Sequence, residues 1–301
     1  RRSSDPFERT NVEVQARGLY AVGEAIEHRF WAGYRLQLQQ PGFSPDFPEG
    51  DRIRRAFRRD VLPPEERNSG PIVGWEFFVP KWKTYRDIAT YDLPEEKNLG
   101  PFASLQFAPV LDEFGSLDDF LELSATVGGL ADIGGRGFVR AEGSATTRFA
   151  NRDWFDNQLA TQIFLATPPA WRIFRLVTRT RFDLFVDDTQ NRLVFAGGQT
   201  GLRGYAIGAF AGDARYLLNL ELRSMPLEAA FLRIGGVVFW DGGDAAEELD
   251  ELDFRQNVGL GLRILMPQAN TIPLRVDWAF PIDPTRSALP GRISIGFGQG
   301  F

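Results

Sequence analysis

The chain has no cysteine, which excludes disulfides, thiolate metal sites and a cysteine nucleophile. It has one histidine, His28. No run of eighteen apolar residues occurs, so no transmembrane helix is expected. That absence does not exclude a membrane. A transmembrane strand needs only about ten residues with every second one apolar, which keeps averaged hydropathy low. The mean hydropathy of -0.23 fits a soluble domain or such a barrel equally well. A net charge of -6 speaks against nucleic acid as a partner. The opening residues RRSSDPFERT hold no apolar stretch, so any secretion signal is expected to have been removed. Helix signals are few.

What is present is alternation of period two, the mark of strands. RISIGFGQGF (292–301) sets Ile293, Ile295, Phe297 and Phe301 against Arg292, Ser294 and three glycines, Gly296, Gly298 and Gly300. TIPLRVDWAF (271–280) sets Leu274, Val276, Trp278 and Phe280 against Arg275 and Asp277. NVGLGLRIL (257–265) and YLLNLELRS (216–224) repeat the pattern, with Arg263, Asn219, Glu221 and Arg223 on the polar side. One face is apolar and the other polar, charged or glycine. A barrel in lipid wants that arrangement, with oily residues outside and small or charged ones lining a wet lumen. Strands that span hydrocarbon must also close on themselves, because an open edge strands backbone polar groups.

Ten more strands are expected near 11–22, 26–40, 71–79, 84–92, 99–110, 119–130, 137–149, 158–166, 172–186 and 230–240. The expected fold is therefore all-β: an antiparallel up-and-down transmembrane β-barrel of 14 strands, occupying 1–301 as one domain. Short proline-bearing turns (SMPLEA, MPQAN, TPPA) alternate with long polar segments at 187–213, 241–255 and 282–290. Barrels of this kind keep short turns on the periplasmic side. An even strand count puts both termini there. Segment 41–70 does not fit: it is long and arginine-rich, yet parity places it on the short-turn side. Either a strand is miscounted or an insertion sits there. Aromatics near strand ends (Trp75, Trp82, Trp154, Trp171, Tyr216, Trp240, Trp278, Phe280) suit interfacial girdles; ordinary packing is the alternative.

The stretch GGQTGLRGYAIGAFAGD (197–213) follows no period. Its LRGY (Leu202 to Tyr205), followed by NLELR (219–223), FWDGG (239–243), VGLGLRILMP, PLRVDWAFPI and ISIGFGQGF, resembles the BamA-like superfamily of bacterial surface antigens in order and spacing. That superfamily covers barrel-assembly proteins, TamA-like relatives, two-partner-secretion transporters and some barrel-anchored phospholipases. The likeness is specific over about 195–301. It implies that 187–213 folds into the lumen as a plug. It also implies that Arg203 there meets acidic wall residues, with Glu221 and Asp241 as the candidates. Alternation independently puts Glu221 on a polar face and Phe239 and Asp241 on one face, and a planar guanidinium can serve two carboxylates at once. Gly204 leaves space beside the wall and Tyr205 offers a ring and a hydroxyl. A solvated, flexible loop is the competing reading. The terminal Phe301 resembles an outer-membrane sorting signal, and Gly296 and Gly298 would soften a seam between the last and first strands, unless they only make room for the plug.

The resemblance implies outer-membrane protein assembly, insertion or polypeptide translocation, without catalysis. Its expected partners are the lipid bilayer with lipopolysaccharide, client outer-membrane or secreted polypeptides, and periplasmic or lipoprotein subunits. The expected location is the bacterial outer membrane, or an organelle outer membrane of bacterial descent. The family's barrel usually has sixteen strands and follows periplasmic POTRA domains. Either more sequence precedes these residues or this is a reduced member. A passive channel or receptor barrel, or the anchor of a phospholipase, are the alternatives. No cofactor or metal is expected: Asp187, Asp188, Asp241 and Asp244 match no calcium loop, and His28 has no evident nucleophile.

Overall fold

The computed structural model describes residues 7–44, 47, 50–282 and 290–300. Strands β1 (Phe7–Val22) and β2 (Glu27–Phe43) begin an antiparallel meander. Helix α1 (Asp51–Asp60) stands between them and β3 (Glu66–Phe78). Strand β4 (Lys81–Tyr85) continues β3 along the same edge of β5 (Glu95–Val110), in unbroken register: Phe78 faces Phe102 and Lys81 faces Leu99. Then come β6 (Phe120–Ile133), β7 (Gly137–Ala150), β8 (Asp153–Ala166) and β9 (Phe174–Val186). Two short strands, β10 (Val194–Ala196) and β11 (Phe210–Gly212), pair with each other inside the long loop. The meander resumes with β12 (Ala214–Ser224), flanked by short β13 (Leu227–Ala229), and runs through β14 (Leu232–Ala246), β15 (Arg255–Leu265), β16 (Leu274–Pro281) and β17 (Arg292–Phe297).

The path from β1 to β17 has 13 strands, each antiparallel to the one before it. The expected count of 14 is corrected at one place. Residues 84–92 do not cross the sheet; extended backbone stops at Tyr85 and the chain turns inward before β5. The consequence is global, because an odd count reverses one end. Strand β1 starts at the end where loop 187–213 lies, and β17 finishes at the opposite end, so the described ends of the chain do not share a side. The segment between β2 and β3 then sits with the other long loops, which removes the misfit of 41–70. Strands β1 and β17 run parallel to each other, and among the described residues no ladder joins them.

The faces are inverted relative to a soluble sheet. Leu222, Val258, Leu260, Leu262, Trp278, Ile293, Ile295 and Phe297 point outward, with Leu260 56% and Phe297 69% exposed. The largest fully buried side chains include Arg263, Glu221, Asn219, Asn257 and Asp241. Burying ions while leaving leucines uncovered is unfavourable in water; hydrocarbon outside reverses the sign. β9 shows why some strands read poorly as alternation. Arg175, Arg179, Arg181 and Asp183 face inward, but Thr178 and Thr180 share the outer face with Leu176 and Phe182. The only α-helix of the described residues, α1, is ten residues long, and no helix is long and apolar enough to cross a membrane.

Candidate functional site

Loop 187–213 lies against the inner face of β12, β14, β15 and β16. Its tip is held by its own backbone: Gly198 N donates to Leu202 O at 3.0 Å and to Tyr205 O at 3.1 Å. Leu202 is fully buried and packs with Ala196, Tyr205, Leu217 and Ala245. The Tyr205 hydroxyl donates to Gln256 O at 3.1 Å. These contacts fix the backbone on both sides of Arg203 and leave its side chain one direction to go.

The guanidinium lies against the wall, 3% exposed. Its Nε donates to Asp241 Oδ2 at 2.9 Å and its Nη2 to Asp241 Oδ1 at 2.7 Å, a bidentate fork. Its Nη1 reaches Glu221 Oε1 at 2.5 Å and Asp277 Oδ2 at 3.4 Å. The Arg203 backbone N–H adds a bond to Asp241 Oδ2 at 3.2 Å. The Phe239 ring lies under the cation, 3.5 Å from Cζ to the ring centroid. Burial works against the charge, but Asp241 and Glu221, with Asp277 behind them, outweigh it and hold the Arg203 pKa above its ordinary value.

The carboxylates have further partners. Asn219 Nδ2 donates to Asp241 Oδ1 at 2.8 Å and Asn257 Nδ2 to Asp241 Oδ2 at 2.9 Å. Arg223 Nε donates to Glu221 Oε2 at 2.7 Å, and Arg263 Nη1 to Asp277 Oδ1 at 2.5 Å. An ion group this dry is tolerable only because each oxygen of the three carboxylates accepts at least one hydrogen bond. Two glycines provide the space. A Cβ on Gly204 would meet Asn257 Cβ at 2.7 Å, and one on Gly259 would meet the Phe239 ring at 2.2 Å.

The structure thus brings together Arg203, Gly204, Tyr205, Glu221, Phe239 and Asp241, as the sequence reading grouped them. Asn219, Asn257, Asp277, Arg223 and Arg263 belong to the same cluster and were missed as members. All five lie on inward-facing positions of their strands, so alternation carried the signal, but it could not say which inward residues meet.

The seam residues are arranged differently. The last strand was expected to run to residue 301 and stops at Phe297, because Gly298 takes a left-handed φ of 90° and turns the chain inward. Gly298 N donates to Pro273 O at 2.8 Å, and Arg275 Nη1 holds Gln299 O at 3.0 Å and Gly300 O at 3.2 Å. Gly300 lies so close to Glu221 and Arg203 that a Cβ there would overlap the carboxylate. Gly296 faces Arg275 and Phe297 points outward. Phe301 lies outside the described residues.

His28 is on the outer face, where its Nδ1 accepts from Trp75 Nε1 at 3.2 Å. Among the described residues no cluster of histidine and carboxylates could hold a metal ion.

The family model of the Omp85 superfamily domain matches residues 189–301. That span contains the loop tip and every wall residue of the cluster, and nearly coincides with the stretch on which the sequence resemblance rests. No curated protein matches this sequence. Among solved structures, the crystal structure of BamA from Haemophilus ducreyi lacking POTRA domains 1-3 is similar at 14% identity and a TM-score of 0.46, over 98% of this chain and 70% of that one.

Proposed function

From the match of residues 189–301 to the Omp85 superfamily domain we propose that this chain is a barrel for inserting outer-membrane proteins or moving polypeptides across the outer membrane. The observation that carries the reading is a loop arginine clasped by Asp241 and Glu221 inside a charged lumen with an apolar exterior. The loop is the plug. It is non-enzymatic: the cluster holds the loop and performs no bond cleavage. The client engages the edges of β1 and β17 that no ladder joins among the described residues, where main-chain hydrogen bonds recruit a strand whatever its side chains. Because β1 and β17 run parallel, one strand lying between them pairs antiparallel with both.

The barrel sits in a bacterial outer membrane, with its long loops, including 187–213, at the cell exterior and the end of β17 on the periplasmic side. Lipopolysaccharide surrounds it, and periplasmic or lipoprotein subunits deliver the client. The test is reconstitution of the full-length protein in liposomes with an unfolded outer-membrane client. Client folding above that of empty liposomes, reduced several-fold by Arg203→Ala while the barrel itself stays folded, is the expected result. Client folding equal to that of empty liposomes removes the assembly reading.

A passive channel is the second reading, favoured by one observation: residues 9–22 of β1 are exposed on both faces, so part of the lumen carries no packing. Large, steady single-channel conductance of the purified protein would favour it; small, erratic openings favour a plugged transporter.

A further inference from the structure

The segment misread as a strand has a conformation of its own. Residues 86–94 join β4 to β5 at the end of the barrel opposite to the Arg203 loop. A connection there would be expected to lie in solvent. Instead Ile88 is 2% and Tyr91 1% exposed, and Thr90 is buried. We propose that residues 86–94 are a second plug, which seals the mouth of the lumen opposite to the Arg203 loop.

The segment is built to hold one shape. Three successive amides, of Ile88, Ala89 and Thr90, donate to Glu95 Oε1 at 3.0, 2.8 and 3.1 Å. Asp92 N donates to Asp87 Oδ1 at 2.8 Å, and both aspartates take left-handed backbone. A carboxylate that gathers three amides fixes a tight turn and leaves little freedom to flap.

It also reaches across the mouth. On its near side, Tyr85 donates to Asp132 at 2.8 Å. On the far side, Arg175 donates to Asp87 O at 3.1 Å, Thr90 Oγ1 donates to Thr271 O at 2.8 Å, and Arg233 pairs with Asp92. These contacts lie on β6, β9, β14 and the turn before β16, which are different sectors of one wall. The lumen is shaped to receive it. Ile88 packs into an inward apolar cluster with Tyr85, Leu130, Phe138, Ala166 and Val177. A Cβ on Gly235 would meet the Tyr91 hydroxyl at 2.2 Å. An apolar cluster facing a wet lumen would be unfavourable unless something covers it, and Ile88 does.

The two plugs share an anchor. One Glu221 oxygen takes Arg203 of the first loop; the other takes Arg223, whose Nη1 donates to Ile88 O at 2.8 Å. The inference does not depend on what the barrel handles.

The absence of cysteine makes the test simple, since one introduced thiol can be followed alone. Val177→Cys places it under Ile88. The full-length protein in micelles is treated with a charged maleimide. With the segment intact, labelling is expected to be slow. Ile88→Ser in the same chain is expected to raise the rate about tenfold, since opening no longer breaks an apolar seal. Thr90→Val, which loses only the bond to Thr271, gives a smaller rise. Ile207→Cys, 71% exposed on the first loop, labels fast in every background. Heat-modifiable gel mobility shows that each variant is folded. Fast labelling of Val177→Cys with the segment intact overturns the proposal, and so does a rate that neither variant changes. Client folding measured on the same variants reports separately on the assembly reading.

Discussion

The wall formed by β12, β14, β15 and β16 and the wall formed by β1 belong to one sheet with one alternation, yet their interiors differ. In the first, Asn219, Glu221, Asp241, Asn257, Arg263 and Asp277 are almost wholly buried under loop 187–213. In the second, Asn11, Glu13, Gln15 and Arg17 hold equivalent inward positions and are exposed, as is every side chain from Arg9 to Val22. Alternation therefore sets the direction of a side chain and not its burial. Burial comes from what a loop brings to that face. The buried wall must satisfy each ion in a low dielectric, whereas the open wall leaves that to water.

The largest expected effect is at the clasp. Arg203→Ala leaves Asp241 and Glu221 facing each other in a dry site, which should weaken the hold on loop 187–213 by about 3–5 kcal/mol. Limited proteolysis within 187–213 checks it. Gln15→Ala on the open wall should change stability by less than about 0.5 kcal/mol in urea unfolding. Equal effects would dissolve the distinction between the walls. Next comes steric room. Gly259→Val drives a side chain into the Phe239 ring and should cost about 1–3 kcal/mol, while Gly18→Val, with nothing within 4 Å of its Cβ, should cost little. Glu95→Ala removes the acceptor of three amides and should loosen residues 86–94 by about 1–3 kcal/mol, seen as faster amide exchange at Ile88, Ala89 and Thr90. The smallest effect belongs to the half-exposed pair of Arg29 and Glu76 at 3.3 Å. Arg29→Ala should cost about 0–1 kcal/mol, and less in high salt.

The clasp was legible because its signal is local. Glu221 and Asp241 fall on the inward phase of their strands, and the LRGY stretch supplies the one arginine of the glycine-rich residues 197–213. The inward turn of residues 86–94 was not. Lys81 to Tyr85 begins as a strand, and Ile88 and Tyr91 continue its apolar tone. Their spacing of three breaks the period, and Asp87 and Asp92 leave extended backbone. Glu95 could not be recognised as the organiser of that turn, because a carboxylate bound to amides five to seven residues back looks like any other acid in the sequence. The inward turn of residues 298–300 was hidden for a similar reason: glycine permits a left-handed φ without requiring it.

Period two in the amino-acid order by itself determined which residues share the outer face of the sheet and which the inner, since neighbouring side chains on a strand must point to opposite sides. Only the tertiary structure decided which end each loop occupies and which inward charges meet. End assignment depends on the parity of the whole strand count, so a single misread segment reverses it. Meeting depends on register between strands far apart in the chain, such as Asn219 opposite Asp241 and Asp241 opposite Asn257, which no local pattern encodes.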